Sequence, residues 1–204
     1  MKPTYQNYLG LLLIIIALFP FSIKAEDLKS LSQQIQKRYE ATQTSRFELN
    51  QKTYVQVLEK DIYKKAKATF KKPGKFILEY QDQNGRLYMS DGKKLWIYQK
   101  GDRQVQSYPL NDDNIPAEAL SFLGGLANLE QDFAVEIPED KKQKTFKLNP
   151  QLKWVELSPL KKQSQIAWIL LGVNPETFYT QELYLYTDSQ NLSHYTLQNR
   201  EVNF

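Results

Sequence analysis

The 204-residue chain has no cysteine and a single histidine, His194. Disulfide staples, thiolate metal clusters and histidine-rich metal sites are therefore excluded, and no metal site or cofactor is expected. No G-x-S-x-G elbow, G-x-x-x-x-G-K loop or G-x-G-x-x-G turn occurs, so nucleophile-elbow hydrolysis and two common nucleotide folds have no sequence support. Glycine and proline are sparse, at 8 and 9, and low-complexity segments are missing, which is the composition of a folded domain. Charge is also thin: 27 basic against 23 acidic side chains leave a formal +4, spread along the chain, so no nucleic-acid partner is expected. The lysines at 64, 65, 67, 71, 72 and 75 are read as the wet face of a strand.

A membrane-spanning run is lacking as well. The longest apolar stretch, residues 9–21, contains Pro20 and falls short of the roughly 20 residues a spanning helix needs. Lys2 precedes it and Ser22-Ile23-Lys24-Ala25 follows, the order of a charged start, an apolar middle and a cleavage site. Residues 1–25 are therefore predicted to be a secretory signal cut after Ala25, and 26–204 a single domain. Acylated anchoring would need a cysteine at the cut, and there is none.

What is present is apolar periodicity and 13% aromatics. Leu28, Leu31, Ile35 and Tyr39 recur at helical spacing and predict one amphipathic helix. From Phe47 the period switches to two, through Leu49 and Gln51, then Ala66, Ala68 and Phe70, then Phe76, Leu78 and Tyr80, then Leu87 and Met89. Pro73-Gly74, Asn84-Gly85, Asp91-Gly92 and Lys100-Gly101 supply the turns of a β-meander. Between Pro109 and Asp132 the meander is interrupted by a short helix-like insertion that carries Leu120, Phe122, Leu123 and Leu126, opens on Pro116 and closes on Gly124-Gly125, a hinge pattern. Strand signals resume near 133, 154, 166, 183 and 192, and the charge run 141–144 is read as a solvated loop. The prediction is a mainly β (α+β) fold: an unclosed antiparallel β-barrel of about 10–11 strands, with an N-terminal helix and a mid-chain helical lid enclosing a hydrophobic cavity.

No catalytic residue is expected. The acid pairs Asp112-Asp113 and Glu139-Asp140 lie in polar stretches that suit turns, and a secreted hydrolase built on them is the rival from a different class. His194 alternates within a strand pattern and is read as a strand-surface residue.

The blocks Lys71-Lys72-Pro73-Gly74-Lys75-Phe76 and Ser90-Asp91-Gly92-Lys93-Lys94-Leu95-Trp96-Ile97-Tyr98 resemble the LolA family of periplasmic lipoprotein carriers. Ile115-Pro116 and Leu157-Ser158-Pro159 support the likeness. The resemblance implies a monomeric, non-enzymatic periplasmic carrier for the acyl chains of lipoproteins. It also implies an inner-membrane ABC-type exporter (LolCDE-like) as donor and an outer-membrane receptor (LolB-like) as acceptor. A carrier of another lipid or glycolipid on the same scaffold is the alternative. Phe76, Leu78, Tyr80 and Met89 are the candidate cavity wall, and Leu120, Phe122, Leu123 and Leu126 the candidate lid. The family often has arginine before the proline, as a residue that holds the lid shut; this chain has Lys72, the candidate latch, a point donor without a planar fork. The family also continues past the last hairpin where this chain ends at Asn203-Phe204, so a terminal strand and loop are expected to be missing.

Overall fold

The computed structural model describes residues 24–110, 129–160 and 165–204. Residues 1–23 of the predicted signal 1–25 and the insertion with Leu120, Phe122, Leu123 and Leu126 lie outside the described residues, as does the acid pair Asp112-Asp113.

Helix α1 (Lys24–Ala41) buries the stripe its spacing predicts. Leu31 and Ile35 are buried, Leu28 and Tyr39 pack beside them, and Lys29, Gln33 and Lys37 stay exposed. The predicted cut after Ala25 falls in its first turn. Thr42 ends the helix by donating its hydroxyl to the Arg38 carbonyl at 2.8 Å, a local side-chain bond that satisfies one of the free carbonyls there.

Strands β1 (Thr44–Val55) and β2 (Lys60–Lys71) form a long hairpin, joined through a single 3₁₀ turn at Gln56–Leu58. β3 (Lys75–Tyr80), β4 (Arg86–Asp91), β5 (Lys94–Gln99) and β6 (Gln104–Pro109) continue the meander. After the insertion come α2 (Leu129–Asp132), β7 (Phe133–Glu136), α3 (Asp140–Phe146), β8 (Lys153–Pro159), β9 (Ile166–Val173), β10 (Thr180–Thr187) and β11 (Leu192–Val202). All neighbours pair antiparallel in one 11-stranded sheet of order β6-β5-β4-β3-β2-β1-β11-β10-β9-β8-β7. β11 returns to pair with β1, which puts the hairpin of β1 and β2 mid-sheet and leaves β6 and β7 as the two edges. The sheet is unclosed.

The two sequence blocks that carry the family resemblance are adjacent turns locked to each other. Gly74 and Gly92 both have left-handed backbones, with φ of 62° and 96°. A Cβ on Gly92 would lie 2.8 Å from the Pro73 carbonyl oxygen, so only glycine fits. Ser90 Oγ donates to the Gly74 carbonyl at 2.8 Å and accepts from the Gly92 N–H at 3.0 Å. The Asp91 carboxylate accepts from the N–H groups of Lys93 and Lys94, both at 2.8 Å.

Side chains alternate between two apolar layers. On the inner face, residues of β1 to β5 and of β8 to β11 join α1 in one cluster, so the sheet curls around its helix. On the outer face, Leu152, Trp154 and Leu170 form a smaller core with Phe146, Leu148, Trp168 and Tyr184. The charge run at 141–144, expected as a loop, is instead helical within α3. Phe146 explains the difference, because its ring packs on Trp168 and Tyr184 at 5.5 and 5.2 Å, anchoring one face while Lys141 and Lys144 stay exposed.

Candidate functional site

The inner face of the sheet is the candidate site. Strand alternation brings Phe47 and Leu49 of β1, Ala66 and Ala68 of β2, and Phe76, Leu78 and Tyr80 of β3 onto one side, all buried. Registers are direct: Ala68 faces both Phe47 and Leu78, and Ala66 faces both Leu49 and Tyr80. The two alanines keep the floor low between taller walls. β4 and β5 extend the face with Tyr88, Ser90 and Leu95, and the other half of the sheet adds Leu183, Leu185, Ile169, Leu171, Val155 and Leu157.

Of the four predicted wall residues, Phe76, Leu78 and Tyr80 lie on this face and Met89 does not. Met89 pairs with Ile77, which is 48% exposed, and both belong to the outer side. Tyr88 and Ser90 occupy the inner positions of β4 instead. The sequence Leu87-Tyr88-Met89 is apolar at three successive positions, so period two could be read in either phase.

A polar band crosses this apolar face. Tyr80 Oη donates to Gln51 Oε1 at 2.9 Å, Gln51 Nε2 donates to Thr53 Oγ1 at 2.8 Å, and Thr53 shares a 2.7 Å hydrogen bond with Ser193 Oγ. The small side chain of Ala66 on the intervening strand lets Tyr80 reach Gln51. Buried polar groups are thus paired along the band rather than left to oppose burial.

The end of α1 is held by a second polar group of residues. Lys72 Nζ donates to the Tyr39 carbonyl and, at 3.1 Å, to the Glu40 carbonyl, so its ammonium satisfies the free end of α1. Burial lowers its pKa from the ordinary lysine range, with Glu40 pulling the other way. Among the described residues, the predicted latch fastens the N-terminal helix. Tyr39 Oη meets Thr180 Oγ1, and Tyr179 Oη meets Thr42 Oγ1 at 3.0 Å.

Arg200, which sequence reasoning missed, sits beside them. Its guanidinium lies over the rings of Phe47 and Tyr179, 4.5 and 5.1 Å from their centroids. It donates to Ser45 Oγ and the Thr180 carbonyl, each at 3.1 Å. Burial pushes its pKa down, while Tyr39 and Tyr179 offset part of that effect. Asn199, with φ of 52°, marks the irregularity that turns Arg200 inward, at the register shift opposite Arg46 and Glu48. A groove of about 460 Å³ opens alongside, with Thr180, Gln181, Gln198 and Arg200 on its wall. No sequence signal predicted that bulge.

The remaining titratable candidates lie elsewhere. Glu139 and Asp140 are exposed at the start of α3. His194 is on the outer face, stacked on Tyr184 at 4.2 Å and 3.3 Å from Glu182. Among the described residues, no cluster of histidine and carboxylate side chains is arranged to hold a metal. The arrangement is an apolar sheet face packed against α1.

Residues 40–203 match the family model described as outer membrane lipoprotein carrier protein LolA. The chain belongs to the LolA family. An outer-membrane lipoprotein carrier protein of Nitrosomonas europaea is 26% identical over 166 residues, covering 80% of this chain and 73% of the relative. One of Cupriavidus necator is 30% identical over 114 residues, covering 56% of this chain and 50% of that relative. An uncharacterized conserved protein from Thermus thermophilus aligns in structure with a TM-score of 0.51 and 9% identity, over 87% of this chain and 88% of that one, a likeness of fold alone. The match begins at residue 40, so the family is shown on the sheet, the two locked turns and the polar junction.

Proposed function

We propose that this LolA-family chain is a periplasmic carrier that shelters the acyl chains of lipoproteins released from the inner membrane and delivers them to an outer-membrane receptor. The donor is an ABC-type exporter and the acceptor a receptor of LolB-like kind. The single observation that supports this best is the extensive apolar inner face of an unclosed sheet, in a chain whose family is named for lipoprotein carriage.

Energetics favour such a face. An acyl chain of about 15 methylenes carries roughly 12 kcal/mol of transfer free energy, at about 0.8 kcal/mol per CH₂. Three of them carry about 36 kcal/mol, and release into water at a useful rate demands a protein surface that replaces most of that contact. Phe76, Leu78 and Tyr80 are proposed as cargo contacts, with the insertion bearing Leu120, Phe122, Leu123 and Leu126 as the movable cover. Bond-making chemistry has no part in the proposal.

Release of a newly made lipoprotein from spheroplasts, with and without added protein, tests this reading. The expected result is release dependent on the protein and recovery of a soluble one-to-one complex whose native mass includes the triacylated cargo. Recovery of only a glycolipid, with no lipoprotein release, would replace it with the alternative carrier role. Leu78→Ala should weaken release, with far-ultraviolet circular dichroism showing that the β fold persists.

A further inference from the structure

We propose that the tip of the β1–β2 hairpin, together with the aromatic row beside it on the outer face, is a docking surface for an anionic phospholipid bilayer. Among the described residues, four of the ten exposed large hydrophobic side chains fall within residues 54–63: Tyr54 (37%), Val57 (87%), Leu58 (52%) and Tyr63 (69%). Nothing in the fold requires valine and leucine on that 3₁₀ turn, which buries none of its residues. A wet turn of this kind ordinarily carries polar residues.

The hairpin extends past β3, which pairs β2 only from Ala66 to Lys71. On its other side β11 accompanies β1 to Tyr54, and Asn191 Oδ1 accepts from the Gln56 N–H at 3.0 Å, which steadies the turn. The exposed side chains of Val57 and Leu58 are left at the apex to meet a surface.

An aromatic row leads away from it on the outer face. Tyr54 faces Leu192, Leu192 faces Tyr186, and Tyr186 faces Trp168, with the last two rings stacked at 5.1 Å. Tyrosine and tryptophan with one apolar body and one polar edge suit the headgroup layer. Val57 and Leu58 suit the acyl boundary just below it.

Charge completes the match. Lys60 and Lys65 stand near the tip against Glu59, Lys52 is paired with Asp61 at 3.0 Å, and Lys64 lies over the Tyr80 ring on the inner side. Elsewhere on the outer face Lys142 of α3 lies over Trp168 and pairs with Glu156, and Glu182 faces His194. The excess around the tip is positive and complements lipid phosphates, with a reach limited to about a Debye length. A polar protein partner would not select two aliphatic side chains at the apex of a basic hairpin.

The absence of cysteine makes the test direct. In the full chain, Val57→Cys and, separately, Gln104→Cys on exposed β6 are labelled with an environment-sensitive fluorophore. Each is mixed with vesicles of phosphatidylglycerol and phosphatidylcholine in equal parts, or of phosphatidylcholine alone. Residues 1–23 are common to both proteins, so any attraction they exert is the same, and only the position of insertion differs. The expected result is a blue shift and quenching by nitroxide-labelled lipid at 57 and not at 104, with the anionic vesicles only. In the same chain, Leu58→Asp should weaken vesicle-dependent shift at 57 by at least roughly tenfold, and high salt should weaken it further. A label at 57 that stays as water-exposed as the one at 104, or a shift indifferent to Leu58→Asp, would overturn the proposal. Both outcomes are independent of whether lipoprotein is the cargo.

Discussion

Lys72 bridges β2 and α1 with one charged group. Its ammonium meets two terminal carbonyls of the helix, and charge-assisted bonds of this kind contribute more than neutral ones. Lys72→Met should therefore cost about 1–2 kcal/mol, read as a lower denaturant midpoint at unchanged slope. Lys72→Arg should keep most of it, since the same carbonyls accept from a guanidinium. Asp91 is the pH-sensitive counterpart. The N–H groups of Lys94 and then Lys93 hold its carboxyl below the usual range, so the unfolded chain binds that proton more tightly. Its contribution should be complete above the ordinary carboxylate pKa and vanish as pH falls through the lower folded one. Carbon-detected NMR titration of the Asp91 carboxyl checks this: a midpoint at or above about 3.9 would contradict the turn as described.

Among the elements, β9 shows how an outer-face core constrains a strand. Gly172 pairs with Trp154, and a Cβ there would lie 2.7 Å from two atoms of the indole ring. Trp154 is fixed by its Nε1 donating to the Asn149 carbonyl at 2.9 Å, so it cannot simply swing aside. Gly172→Ala should destabilise by about 1–3 kcal/mol, measured as a lower melting temperature, and pairing it with Trp154→Leu should recover part of the loss. The same strands show what was legible beforehand. Where apolar and polar residues alternate cleanly, as at Phe47-Glu48-Leu49 or Ala66-Lys67-Ala68, the inner face was readable from period two alone, and in β3 Glu79 between Leu78 and Tyr80 still set the phase. At Leu87-Tyr88-Met89 three apolar residues erased the phase, and Met89 was assigned to the wrong side. α3 was hidden because five of its seven residues are charged or amide side chains with one anchoring ring, Phe146, at its end. Arg200 was unreadable for a different reason: its inward direction comes from a bulge, and a bulge has no periodic signature.

At the scale of the whole molecule, the apolar inner face already holds α1, so under the proposed carrier role acyl chains would have to share it or displace the helix. Re-exposing Leu31 and Ile35 costs about 3–6 kcal/mol, whereas one acyl chain of about 15 methylenes offers roughly 12 kcal/mol. On that reading cargo would outcompete the helix's apolar contacts, with the tethers at Lys72 and Tyr39 setting how far α1 moves. The middle of α1 is tied to α2, where Ser32 Oγ donates to Glu130 Oε1 and the Leu129 N–H donates to Gln36 Oε1, each at 3.1 Å. The sheet itself resists in a graded way: β1 is paired on both sides along nearly its whole length, whereas β6 is an edge with all six residues exposed. Hydrogen exchange on empty and lipopeptide-loaded protein should therefore show lost protection in α1 before Arg38 and altered protection along β6. The amides of β1 and β2 should stay among the slowest in both states. Loss of protection in β1 and β2 with α1 unchanged would mean that cargo enters by parting the sheet, which the open seam between β6 and β7 makes unnecessary.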